Sequence, residues 1–148
     1  MKRHLFVLIV FISIPSLVLA QLEKPVIWSF YSKKINKTVA VVYIKAKMSG
    51  KWHIYAQNNS SEAMRLKINY NKSKNFNLIG KTIEPMPIKK YDPIVKMNLA
   101  YFEKEVIFTQ KIKLNGTSAF VEINIEFMAC NDKQCLPADE ISFKIPIK

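Results

Sequence analysis

A chain of 148 residues that is 49% apolar can fold around one hydrophobic core and is too hydrophobic for a disordered polymer. Its formal charge is +12, yet Arg3 and Arg65 are the only arginines and the lysines are spread along every segment. That surface lacks the arginine forks and interleaved aromatics of nucleic-acid readers. It predicts a solvated lysine coat, no nucleic-acid partner, and at most a weak pull toward anionic membranes.

Lys2, Arg3 and His4 precede an apolar run from Leu5 to Leu17 that only Ser13, Pro15 and Ser16 interrupt. Val18-Leu19-Ala20 then offers small or aliphatic residues to a signal peptidase, so residues 1–20 are expected to be a cleaved signal peptide and residues 21–148 one exported domain. An uncleaved anchor is the competing reading. Pro15 and the short span speak against it, because a spanning helix needs about 20 apolar residues. No later stretch approaches that length, so no transmembrane segment is expected in the mature chain. Cleavage removes Lys2 and Arg3, which takes the charge from +12 to +10.

Alternation dominates the rest of the chain. Lys33 to Lys37 reads as a turn, and Val42 to Met48 alternates apolar residues with Lys45 and Lys47. Asn58-Asn59-Ser60-Ser61 marks a second turn, followed by an alternating run from Met64 to Tyr70. Between Pro85 and Glu105 the pattern breaks. Asp92-Pro93 is read there either as the cap of a short helix or as part of a proline-stiffened loop over one end of the fold. Alternation resumes from Val106 to Leu114, and Asn115-Gly116 is a hairpin signal. Val121, Ile123, Ile125, Phe127 and Ala129 share one face of the next strand, and Ile141 to Ile147 alternates at the end. Seven or more half-buried strands predict an antiparallel β-sandwich of immunoglobulin-like type.

Cys130 and Cys135 are the only cysteines, with Asn131-Asp132-Lys133-Gln134 between them. Closing so short a loop restrains the unfolded chain little, roughly 2 kcal/mol, so a structural clip and a redox-active pair both stay open. By parity Cys130 falls with Glu122, Asn124, Glu126 and Met128, away from the main core. A bridge requires Cα atoms about 4.4–6.8 Å apart. His53 and two cysteines lack a fourth closely spaced ligand, so neither a metal nor a cofactor is expected. His53 is either a solvent-facing strand residue or a positive imidazole beside the pair, favouring thiolate. Trp28 and Trp52 are expected in the core.

Four stretches carry a resemblance: Gly50 to Gln57, Tyr91-Asp92-Pro93, Tyr101-Phe102-Glu103 leading into Val106-Ile107-Phe108, and Cys130 to Pro137. In order and spacing they resemble the N-terminal periplasmic domain of the DsbD family of thiol:disulfide interchange proteins. The resemblance implies an all-β immunoglobulin-like fold with a cap-type loop over the cysteine pair. It implies a disulfide between Cys130 and Cys135 that takes electrons from a membrane-embedded transducer or thioredoxin-like protein and passes them to periplasmic disulfide-bearing proteins. It also matches Tyr55 to a tyrosine near the active cysteines and makes the second cysteine, Cys135, the one that forms mixed disulfides. The polar Asn131–Gln134 turn before Cys135, and Pro137 after it, which cannot donate to a ladder, point the same way.

Two features depart from the family pattern. The membrane and thioredoxin-like parts are not in this chain, which predicts a free-standing domain. The cap position, aromatic in the best-known members, falls here at Ile94 or Val95, with Asp92 beside it as a cap-loop carboxylate. The expected function is a periplasmic thiol:disulfide relay. The competing class is a non-catalytic immunoglobulin-like binding or assembly module with a structural disulfide.

Overall fold

Fully buried residues alternate with less buried ones without a break from Val39 to Met48, because successive side chains of a strand point to opposite faces and Ala40, Val42, Ile44, Ala46 and Met48 share the inner one. The computed structural model describes residues 24–92, 95–116 and 120–148. The expected signal peptide therefore lies outside the described residues, as do Pro93 and Ile94. The strands in chain order are β1 (Val26–Lys34), β2 (Val39–Met48), β3 (His53–Tyr55), β4 (Lys67–Tyr70), β5 (Phe76–Ile83) and β6 (Ile88–Asp92). They continue with β7 (Met97–Glu103), β8 (Glu105–Leu114), β9 (Phe120–Phe127), β10 (Ala129–Cys130) and β11 (Asp139–Pro146).

All pairings are antiparallel, in the orders β1-β2-β8-β5, β10-β3-β7-β6 and β11-β9-β4. The all-β antiparallel expectation holds, but the strands divide into three sheets rather than the two of a simple sandwich. The chain changes sheet at Met128, between β9 and β10. One core joins all three. Val42, Ile44, Phe108 and Ile112 of the first sheet pack with Ile54, Phe102 and Ala129 of the second and Val121, Ile123 and Ile125 of the third. Fully burying each of these valine, isoleucine and phenylalanine side chains is worth about 1.5–3 kcal/mol. Phe108 contacts the rings of Trp28 and Phe102, and Trp52 is buried as expected.

Three local expectations are corrected. Met64 to Tyr70 is not one strand: a 3-10 turn occupies Glu62–Met64, held by Arg65 N–H donating to Glu62 O, and β4 begins at Lys67. Asn115-Gly116 does not close a hairpin, since β8 and β9 belong to different sheets. Asn115 is tied instead to the segment before β5, donating from its backbone N to Asn75 O and from Nδ2 to Lys74 O. The stretch around Asp92 is neither a helix nor a long loop. It is β6 and β7 paired from Ile88↔Tyr101 to Asp92↔Met97, so the connection is four residues long.

Candidate redox site

The second sheet has two faces with different duties. Ile54, Ala100, Phe102 and Ala129 point into the main core. Residues of opposite parity are aligned by register on the other face: Cys130 opposite His53, His53 opposite Glu103, Tyr55 opposite Tyr101, and Asp92 opposite Met97. Cys130 thus points away from the main core, as its parity predicts, but not into water. It is 2% exposed and forms a second small cluster with Tyr55 and Leu99, against which Met64, Val95, Met97, Tyr101 and Met128 pack.

A tight antiparallel turn makes the disulfide. Asn131 N donates to Gln134 O and Leu136 N donates to Ala129 O, each across 2.9 Å. These bonds flank Cys130 and Cys135 and make them a non-hydrogen-bonded pair, the geometry that brings opposite Cα atoms closest. The two Cα atoms are 4.0 Å apart, just below the expected window, and the sulfurs are bonded. Asn131 Oδ1 accepts from the backbone N of Lys133 and of Gln134, so the side chain itself folds the turn. The two cysteines are unequal: Cys130 is buried and Cys135 is exposed.

Tyr55 Oη donates to Cys130 Sγ across 3.3 Å. Burial, reinforced by the charge of Asp92, pushes the Tyr55 hydroxyl up, which keeps it a neutral donor at ordinary pH. The His53 ring stands edge-on to Tyr55 at 5.5 Å and tilted against Tyr101 at 4.8 Å. Burial lowers the His53 pKa and outweighs the opposing pull of Glu103, Asp132 and Asp92. The imidazole is therefore neutral near pH 7, contrary to the reading of a positive ring beside the sulfurs. Asp132 is held below the usual carboxylate range by the hydrogen bond and charge of Lys51, 3.0 Å away.

A depression of about 220 Å³ opens on this face, lined by His53, Tyr55, Asp92, Tyr101, Glu103 and Asp132. Asp92 Oδ1 accepts from Val95 N across 3.3 Å, which fastens the β6–β7 turn, and Val95 packs against the cysteine cluster. His53, Tyr55, Asp92, Val95, Cys130 and Cys135 are thus gathered at one end of one sheet face, while Ile94 lies outside the described residues. Asn59 lies in the Asn58-Asn59-Ser60-Ser61 stretch, whose composition predicts only a turn. It is 4% exposed, donates to Ala100 O and accepts from Ala100 N, so it pins the chain after β3 against β7. A buried asparagine cannot be told from a loop asparagine by sequence pattern.

A family model described as "Thiol:disulfide interchange protein DsbD, N-terminal" matches residues 24–146. No curated protein matches the chain. Among solved structures, the N-terminal periplasmic domain of ScsB from Proteus mirabilis has a TM-score of 0.60 at 13% identity, covering 82% of this chain and 46% of that one. This chain therefore spans less than half of that relative's length. The DsbD N-terminal domain of Neisseria meningitidis in the reduced form gives 0.51 at 10% identity, over 74% of this chain and 85% of that one. The complex between the DsbD and PilB N-terminal domains from the same organism gives 0.51 at 10% identity, over 78% and 80%. At such identities the structural likeness speaks for the fold, whereas the family match spans the strands and both cysteines. The chain belongs to the family of DsbD N-terminal thiol:disulfide interchange domains.

Proposed function

We propose that the domain is a periplasmic thiol:disulfide relay in which Cys135 exchanges with partners and Cys130 resolves. The observation that carries this reading is the inequality of the bonded sulfurs: Cys135 is exposed, while Cys130 is buried under Tyr55 and Val95. A thiolate of a membrane transducer or thioredoxin-like donor attacks Cys135 Sγ. The Cys130–Cys135 bond breaks and the electron pair leaves on Cys130 Sγ, beside the Tyr55 hydroxyl. The donor's second thiolate then attacks its own sulfur in the mixed disulfide and releases the reduced domain. Delivery reverses the roles. Cys135 thiolate attacks an acceptor's disulfide, and Cys130 then attacks Cys135 Sγ, reforming the internal bond and releasing the acceptor as a dithiol.

A protein partner is supported by the Neisseria meningitidis complex between the DsbD and PilB N-terminal domains, to which this chain is similar in fold. The neutral His53 ring supplies shape and hydrogen bonding rather than charge. Equilibration with glutathione redox buffers tests the reading. A relay should have a potential between about −270 and −180 mV, whereas a structural clip in a binding module should lie below about −300 mV.

A further inference from the structure

The two outward faces of the first and third sheets differ in charge. On the third, Glu122, Glu126 and Glu140 are interleaved with Lys67 and Lys144, and Lys67–Glu126 and Lys144–Glu122 are ion pairs. On the first, register aligns Lys33, Lys45, Lys47, Lys111 and Lys113 on the face that turns away from the core. Glu105 is the one carboxylate on that face among the described residues, and Lys45 already holds it at 2.7 Å. Ile27, Tyr31, Ile79 and Ile83 share the face and are 66%, 50%, 40% and 68% exposed. Tyr31 stacks on Tyr43 at 4.3 Å, midway along the β1–β2 pairing.

We propose that this outward face of β1-β2-β8-β5 docks on the anionic headgroup layer of a lipid bilayer. Lysine chemistry favours lipid over an acidic protein. Ammonium groups on flexible stems suit a diffuse negative layer and lack the fixed fork that reads individual carboxylates. The tyrosine pair and exposed isoleucines match what sits at a membrane–water boundary, with apolar bodies inward and polar tips in the headgroups. The disulfide belongs to another sheet, so a docked domain keeps Cys135 available. This inference does not rest on the relay reading.

Cosedimentation tests it, using protein purified from secreting cells so that every variant carries the same N-terminus. The vesicles are phosphatidylglycerol with phosphatidylcholine in equal parts, and phosphatidylcholine alone. Binding is expected to the first and to fall with added salt. Each lysine near such a surface is worth about fivefold, so the variant combining Lys33→Gln, Lys47→Gln, Lys111→Gln and Lys113→Gln should lose roughly a hundredfold or more. The variant combining Lys67→Gln, Lys72→Gln, Lys74→Gln and Lys144→Gln removes the same charge elsewhere and should lose far less. Ile27→Ser with Ile83→Ser, which leaves the charge intact, should also weaken binding. Equal losses in the two lysine sets would show that net charge binds rather than this face, and would overturn the proposal. So would an absence of vesicle binding, or face-dependent retention on poly-glutamate without vesicle binding, which would point to an acidic protein instead.

Discussion

The Tyr55 hydroxyl donates to Cys130 Sγ across 3.3 Å, with both residues 2% exposed. A sulfur so buried leaves poorly as a thiolate unless a donor meets its charge, and Tyr55 is that donor. Hydrogen bonds to charged groups are worth about 1.5–3 kcal/mol. Tyr55→Phe should therefore slow reduction of the disulfide by dithiothreitol roughly tenfold or more, with the fold kept. A stopped-flow time course checks this, and an unchanged rate would remove Tyr55 from the chemistry.

His53 sets a pH dependence whose sign is fixed by burial. Its folded pKa lies below the ordinary 6.5, so the unfolded chain binds the proton more readily. The stability it contributes is complete above about pH 6.5 and declines as pH falls toward the lowered folded value. Thermal melts from about pH 7.5 to 5.5 should show a falling midpoint, and His53→Gln should flatten that slope. A slope unchanged in the variant would contradict the assignment.

Val95 packs against the cysteine cluster, and the proposed relay gives it the role of an aliphatic cap. Val95→Ala removes two methyl groups from that contact and should cost about 1 kcal/mol of stability. It should also speed reduction by small thiols, because water and reductant reach the sulfurs more easily. Urea melts and dithiothreitol rates separate the effects. A slower or unchanged rate would mean that Val95 only packs.

The strands whose two faces differ in polarity were legible, and so was the parity that turns Cys130 from the main core. β1 was not, because Ile27 and Tyr31 on its outer face are as apolar as Trp28 and Phe30 on the inner. β5 was hidden by a register break between Ile79 and Ile83, where Gly80 takes a positive φ. Gln110 faces the core in β8 although its neighbours in parity are Phe108 and Ile112. Its amide donates to Ile79 O and Lys111 O and accepts from Thr82 Oγ1, partners that pairing with β5 brings within reach. The contact of Tyr55 with Cys130 joins residues 75 apart in sequence, through the β3–β10 pairing. The resemblance placed Tyr55 near the cysteines, but only the register shows why His53 lies beside it.

The most direct measurement is the trapping of partners by single-cysteine variants in cells that secrete the protein. Cys130→Ala keeps the exposed Cys135 and has no resolving thiol, so it should accumulate mixed disulfides that appear on non-reducing gels and vanish on reduction. Cys135→Ala leaves only the buried sulfur and should accumulate few. Trapping by Cys135→Ala alone would reverse the two roles. Trapping by neither would contradict the relay.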